Sequence, residues 1–215
     1  MIINHKKILR LMKKYDLLAK IRRINPYRNI MKKDHKHRIF ENKLNREFRW
    51  DCPFIKLWTD ITYLKFKWKW IYLSVIKDIV TWEILWFSLS KYLYILLFSD
   101  TIKDMNSKYW NIAIWALLHS DQWFHYTHPE SIKLIKENWL IQSMSRKWNC
   151  IDNSPTESFF GHAKDEIDLL ECETFEEVEI YIEKYIYYYN NHRFQRSKKK
   201  MTPVWYRNHL LKNII

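Results

Sequence analysis

Residues 141–164 read IQSMSRKWNCIDNSPTESFFGHAK. IQSM is a short β-forming run, SRKWNCIDN a polar loop, and SPTESFFGHAK the opening of a helix. Ser154-Pro155-Thr156-Glu157 fits a capping box with proline at the first helical position. Phe160, Ala163, Ile167 and Leu170 then form an apolar row predicted to face a core. Glu157, Gly161, Lys164 and Asp168 recur on a polar row roughly 100° away. On spacing alone Glu157 has two roles open to it, a cap of its own helix or a carboxylate presented to a site.

The chain N-terminal to this stretch changes character near residue 50. Residues 1–50 hold 16 lysines and arginines against 4 acids, whereas 51–215 hold 21 against 20. The net charge of +13 therefore sits almost wholly in an N-terminal arm suited to a polyanion, or simply to water. Within it, NHKKILRLMKKY (4–15) has Ile8, Leu11, Met12 and Tyr15 at helical spacing behind Asn4, a good N-cap. Lys6, Lys7, Arg10 and Lys13 cover its other faces and are candidate DNA contacts. Residues 22–50 read as a basic linker. His35 and His37 lack the paired cysteines that would make them a zinc site. The expected organisation is a basic helical segment over 1–50, resembling half of a helix-turn-helix, and a core over 51–215.

From residue 54 the pattern becomes β. FIKLWTDITYLKF carries Asp60, and KWIYLSVIKDIV and WEILWFSLS continue an antiparallel meander. Residues 93–108 read as a helix. NIAIWALLHSD reads as a buried strand delivering Asp121 at its end, with His119 a neighbour of the site or a satisfied core histidine. PESIKLIKEN is a helix opened by Pro129. Residues 175–191 are amphipathic, with Phe175, Val178, Ile182, Ile186 and Tyr189 inward. Thr202-Pro203 starts a closing helix.

Composition excludes several classes. No apolar run reaches the roughly 18 residues of a membrane span, and no apolar stretch follows the basic N-terminus as a signal peptide requires. Three cysteines without Cys-x-x-Cys spacing fit neither a disulfide framework nor a zinc knuckle, and fit a reducing cytoplasm. One glycine and twelve tryptophans are anomalous, since a chain of this size ordinarily has about fifteen glycines. Several tryptophans fall where glycine is expected, notably Trp123, Trp139 and Trp148. Trp50, Trp68, Trp82 and Trp86 share the suspicion, whereas Trp70 suits its strand. UGA codons read as glycine in the source and as tryptophan in translation would account for this pattern.

At TDITYL, HSDQ and NSPTESFFGHAK the sequence resembles the second-frame product of insertion-sequence-three-family transposases, with a retroviral-integrase-type core. Thirty-five residues lie between Asp121 and Glu157, and Lys164 follows Glu157 at +7, both as in that family. INHKKILRLMKKYDLLAKIRR is similar to its DNA-binding subdomain and YIYYYNNHRFQRSKKKMTPVWYRNHL to its C-terminal signature. The family has glycine at 123, 139 and 148, and its members are usually longer fusions with an upstream helix-turn-helix and zipper.

The resemblance implies an α/β, RNase-H-like fold, a mixed five-stranded sheet flanked by helices. Asp60 would lie on the first strand, Asp121 at the end of the fourth, and Glu157 on a flanking helix. It further implies that these three carboxylates hold two Mg²⁺ or Mn²⁺ ions, with Asp60 bridging. The implied reactions are phosphodiester cleavage and strand transfer at the ends of a mobile element. Lys164, Arg146 and Lys147 are the core's candidate DNA contacts. Double-stranded DNA and further copies of the chain are the expected partners, in a bacterial cytoplasm at the nucleoid. A competing reading is a non-catalytic DNA-binding remnant that occupies element ends, and a third is a simple nuclease. Strand transfer and its loss in a Glu157 variant discriminate them.

Overall fold

The computed structural model describes residues 4–15, 17, 39–45, 52–94, 96–108, 112–146 and 154–212; for 96, 106–108 and 154–158 it describes the backbone alone. The chain divides into two compact units, Met1–Lys36 and His37–Ile215. In the first, α1 (His5–Lys14) is capped by Asn4, whose Oδ1 accepts the Lys6 amide at 2.9 Å. Lys6, Lys7, Arg10 and Lys13 are all exposed on it.

The second unit is built on five strands: β1 (Lys56–Phe66), β2 (Lys69–Asp78), β3 (Ile84–Ser90), β4 (Leu117–Ser120) and β5 (Ile141–Met144). Their order across the sheet is β3-β2-β1-β4-β5. β1, β2 and β3 form the expected antiparallel meander, and β4 and β5 run parallel to β1. Helices α2 (Leu96–Lys108), α3 (Phe124–Thr127) and α4 (Pro129–Glu137) follow β3 and β4. After β5 come α5 (Ser154–Glu166), α6 (Phe175–Asn191) and α7 (Pro203–Lys212).

Strand alternation sends neighbouring side chains to opposite faces. Leu57, Ile61 and Ile76 pack with Leu97, Phe98, Ile102 and Met105 of α2 and Ile135 of α4. Leu64, Ile71, Leu73 and Val75 pack on the other face with Phe159, Phe160 and Ala163 of α5 and Val178, Ile182 and Ile186 of α6. Both faces are covered, so β2 is buried without interruption from Leu73 to Asp78. Each fully buried side chain of this size contributes about 1.5–3 kcal/mol.

Four expectations are corrected. The core begins before residue 51: Leu44 is buried with Trp58 and Ile79, and Ser143 Oγ accepts the Lys43 and Leu44 amides at 3.0 and 3.2 Å. Strand β4 starts only at Leu117, because residues 113–116 make a turn closed by Ala116 N–H to Ala113 C=O. Leu170 is 88% exposed, not internal. α5 ends at Glu166, so the helical row does not reach Leu170 or Asp168, and buried Leu169 fills the interior instead. Trp123 has φ −67° at the start of α3, a conformation open to any residue.

Three other tryptophans do occupy left-handed backbone: Trp82 (φ 67°), Trp115 (70°) and Trp139 (57°). Trp139 follows the C-cap of α4. Its amide donates to Lys136 C=O, and the Leu140 amide to Ile135 C=O. Those two bonds define a Schellman motif, which places Trp139 at the position normally given to glycine. Trp115 is the second central residue of the turn before β4. Trp82 lies in the five-residue loop between β2 and β3, its amide donating to Asp78 C=O. Neither Trp68 nor Trp86 is left-handed, and Trp50 and Trp148 lie outside the described residues.

Candidate functional site

β1 outreaches β4. The two pair only over Lys56–Trp58 against Leu117–His119, so beyond Trp58 the β4-side edge of β1 is open. Asp60 emerges there, two residues past the last pair, while the chain leaves β4 at Asp121. Adjacent parallel strands thereby bring together two carboxylates that are distant in sequence. Asp60, Asp121 and Lys164 line one pocket of about 460 Å³, with Ile61, Thr62, Tyr63, Trp123, Phe160 and Gly161.

Burial pushes the Asp121 carboxyl up to about 6, against a single opposing hydrogen bond from the Trp123 amide to Oδ1 at 2.9 Å. Asp60 Oδ1 accepts the amide of Ile61 at 2.8 Å. Asp121, whose carboxyl is raised by burial, is a position that a cation would stabilise. The donors are hard oxygens, which suit Mg²⁺ or Mn²⁺ and not a soft metal. Among the described residues no cluster of three His, Cys, Asp or Glu side chains is gathered for a metal. Glu157 belongs to the first turn of α5, on the helical row that continues at Gly161 and Lys164; its side chain lies outside the described residues.

Helix α5 reaches the pocket because Phe159 and Ala163 anchor its other side in the core, with Phe160 between core and pocket. A Cβ on Gly161 would meet nothing within 4 Å, so packing does not demand this glycine, and its bareness keeps the pocket wall open. Lys164 stretches past β1 and sets its Nζ 4.5 Å from the centroid of the Tyr63 ring.

Two flanking residues have different standing. His119 is fully buried, with Nδ1 2.9 Å from Ser143 Oγ. That hydroxyl already accepts two backbone amides, so its proton goes to His119 Nδ1, and the ring carries its own proton on Nε2. His119 is thus a core histidine that ties β4 to β5 and, through Ser143, to residues 43–44. Tyr126 was not foreseen. It is wholly buried in α3, and burial first, then the charges of Asp60 and Asp121, drive its phenol well above its ordinary range. Its signal in HSDQWFHYT is hidden, because the four-residue helix that turns it inward has no periodicity to read.

Arg146 is exposed beyond the end of β5 and does not line the pocket. Lys147 lies outside the described residues. Asp78 is buried and spent on structure: it accepts from the Phe54 and Thr81 amides and the Thr81 hydroxyl.

Residues 157–211 match the family model of the integrase core domain. An uncharacterized transposase-like protein of Haemophilus influenzae is 37% identical over 206 residues, covering 95% of this chain and 93% of that one. The putative transposase InsK for insertion sequence element IS150 of Escherichia coli is 34% identical over 209 residues, covering 96% and 72%. Among solved structures, the HTLV-2 integrase catalytic core domain in complex with magnesium superposes with a TM-score of 0.56 at 15% identity, over 71% of this chain and 95% of that one. The RNase-H-like integrase fold is therefore shared.

Proposed function

The chain belongs to the insertion-sequence-three-type transposases built on an integrase core, and from that membership we propose that it cleaves and joins DNA strands at the ends of a mobile element. The observation that carries this is the opening of Asp60 and Asp121 into one pocket beside Lys164.

Asp60 and Asp121 are the first ligands for Mg²⁺ or Mn²⁺, and Glu157 the third carboxylate; two ions fit the chemistry of in-line displacement. The bound metal supplies charge neutralisation at the phosphate and acidifies a water. Lys164 binds a phosphate oxygen beside the scissile bond. The apolar walls, Ile61 and Phe160, limit bulk water. In the first reaction water adds to phosphorus and the strand breaks to a 3′ hydroxyl and a 5′ phosphate. In the second that hydroxyl attacks a target phosphodiester, joining the strands and releasing a target 3′ hydroxyl. Neither reaction needs a protein nucleophile.

The partners that follow are element-end DNA, target DNA and further copies of this chain, with the exposed lysines and arginine of α1, Lys147 and Arg146 as secondary DNA contacts. The proposed setting is the bacterial cytoplasm, at the nucleoid; no helix among the described residues is long and apolar enough to cross a membrane.

A strand-transfer assay with Mg²⁺ or Mn²⁺ and duplexes from the element's own ends tests the reading. Joined product is expected from the wild-type chain and none from Asp60→Asn, Asp121→Asn or Glu157→Gln. Nicking without joining points to a nuclease. Binding without nicking points to a remnant that competes for ends. Unchanged joining in Glu157→Gln overturns the carboxylate assignment.

A further inference from the structure

A second groove, of about 740 Å³, adjoins the carboxylate pocket and shares Tyr63 and Lys164 with it. It runs along the β1–β2 hairpin, lined also by Lys65, Lys67 and Trp70, with Asp168 as its one acid. Tyr63 and Trp70 are diagonal neighbours on the antiparallel pair, since Tyr63 faces Tyr72 and Trp70 faces Lys65. Their rings meet edge-to-face, centroids 5.0 Å apart at 82°, and both stay about half exposed, Tyr63 at 48% and Trp70 at 53%. The contact steadies the hairpin and still leaves ring surface open to a ligand. Here they are braced in a row: Lys164 against Tyr63, Tyr63 against Trp70.

We infer that this groove is a binding site for an unpaired nucleotide of the DNA strand entering the carboxylate pocket, with its base stacked on the exposed face of Trp70. The inference rests on the strand-cleavage reading for its choice of DNA. Lys164 belongs to both cavities, so a phosphate beside it has the cleavage pocket on one side and the aromatic platform on the other. Exposed Lys65 and Lys67 add positive charge along the groove, and Asp168 is occupied in accepting the Leu170 amide. Stacking on an aromatic face is tolerant of base identity, and basic residues around it track the phosphates. In a fully paired end the bases are held in pairs and only the outermost pair has an unstacked face, so no single base can be laid on this platform. The site therefore favours ends whose terminal pairs have opened, and it makes Trp70 and Tyr63 positioning residues.

The test uses the full chain in chelator, so that it reads binding alone. The probes are a blunt duplex and the same duplex with a short unpaired tail carrying a fluorescent purine analogue. The tailed duplex is expected to bind about tenfold more tightly, with its fluorescence quenched. Trp70→Ala is expected to erase both the preference and the quench while leaving blunt-duplex binding intact, and Trp70→Phe to retain most of each. Lys164→Ala is expected to weaken both duplexes alike. Equal binding of the two probes overturns the inference, as does a preference that survives Trp70→Ala. A change in sedimentation of Trp70→Ala with the tail preference unaltered identifies the platform as a contact between copies, and also overturns it. Because no cleavage is read, failure of the strand-cleavage reading is seen separately, in the behaviour of Asp60→Asn in the joining assay.

Discussion

Arg207, near the end of the chain, holds Glu83 in the loop between β2 and β3, with Nη1 2.5 and 2.7 Å from the two carboxylate oxygens. The Glu83 side chain is 3% exposed and that of Arg207 19%. The pair fastens α7 to that loop, and Thr202, whose Oγ1 accepts the Trp205 amide, caps the helix. Arg207→Ala leaves a carboxylate buried without its cation. Burial already holds that carboxyl up to about 7, so near neutral pH it takes up a proton once the cation is gone. The loss of unfolding free energy is expected to be about 1–3 kcal/mol, measured by urea titration, and Glu83→Gln with Arg207→Met is expected to recover part of it.

The carboxylate pocket makes a prediction about metal. Burial holds the Asp121 carboxyl near 6, above its unfolded value of 3.8. A raised folded-state pKa gives stability that is fully present below about 4 and lost as pH rises through 6. In metal-free protein at pH 7.5 (roughly neutral, above both values), Asp121→Asn is expected to raise stability by about 1–2 kcal/mol, partial exposure having reduced the full effect. Mg²⁺ or Mn²⁺ is expected to raise the melting temperature of the wild type and not of the variant. Calorimetry with and without the cation checks both.

Gly161 is the chain's one glycine, yet it sits in a helix with room beside it. Gly161→Ala is expected to stabilise α5 by about 0.5–1 kcal/mol. The same methyl narrows the pocket beside Asp60 and Asp121, so strand cleavage is expected to fall as stability rises. Thermal melts and cleavage rates on the same preparation separate the two effects.

Left-handed backbone costs an ordinary residue about 1–2 kcal/mol. Trp82→Gly, Trp115→Gly and Trp139→Gly are each expected to stabilise the protein by about 1 kcal/mol. Trp123→Gly, where φ is −67°, is not. The native chain is expected to carry glycine at the three left-handed positions, which peptide mass spectrometry of protein from its source reads directly. UGG codons there rule out altered decoding.

His125 is 4% exposed in α3, and burial first, then the neighbouring His128 charge, lowers its pKa to about 4. A depressed folded-state pKa gives stability present above the unfolded value near 6.5 and lost as pH falls through 4. Wild type is therefore expected to lose about 1–3 kcal/mol between those limits beyond what its carboxylates account for. His125→Gln is expected to show a shallower acid limb in urea titrations across that window.

The sequence by itself determined the elements and the membership. Runs of β-forming residues marked β1 to β3, Pro129 and Thr202-Pro203 marked two helix starts, and the spacing of Asp121, Glu157 and Lys164 marked the family. These are local or linear properties, so they survive in a string of letters. Tertiary structure decided what depends on neighbours distant in the chain. It shortened β4 by spending residues 113–116 on a turn. It ended α5 at Glu166, so that Leu169 and not Leu170 is buried, and it drew residues 39–45 onto the core through Ser143. It also separated the tryptophans by backbone angle, sparing Trp123 and singling out Trp115, which composition alone did not distinguish. The pairing of Asp60 with Asp121 in one pocket, and the Lys164–Tyr63–Trp70 row beside it, follow from β1 running past the end of β4. Strand register of that kind is set by packing across the sheet, and no local pattern records it.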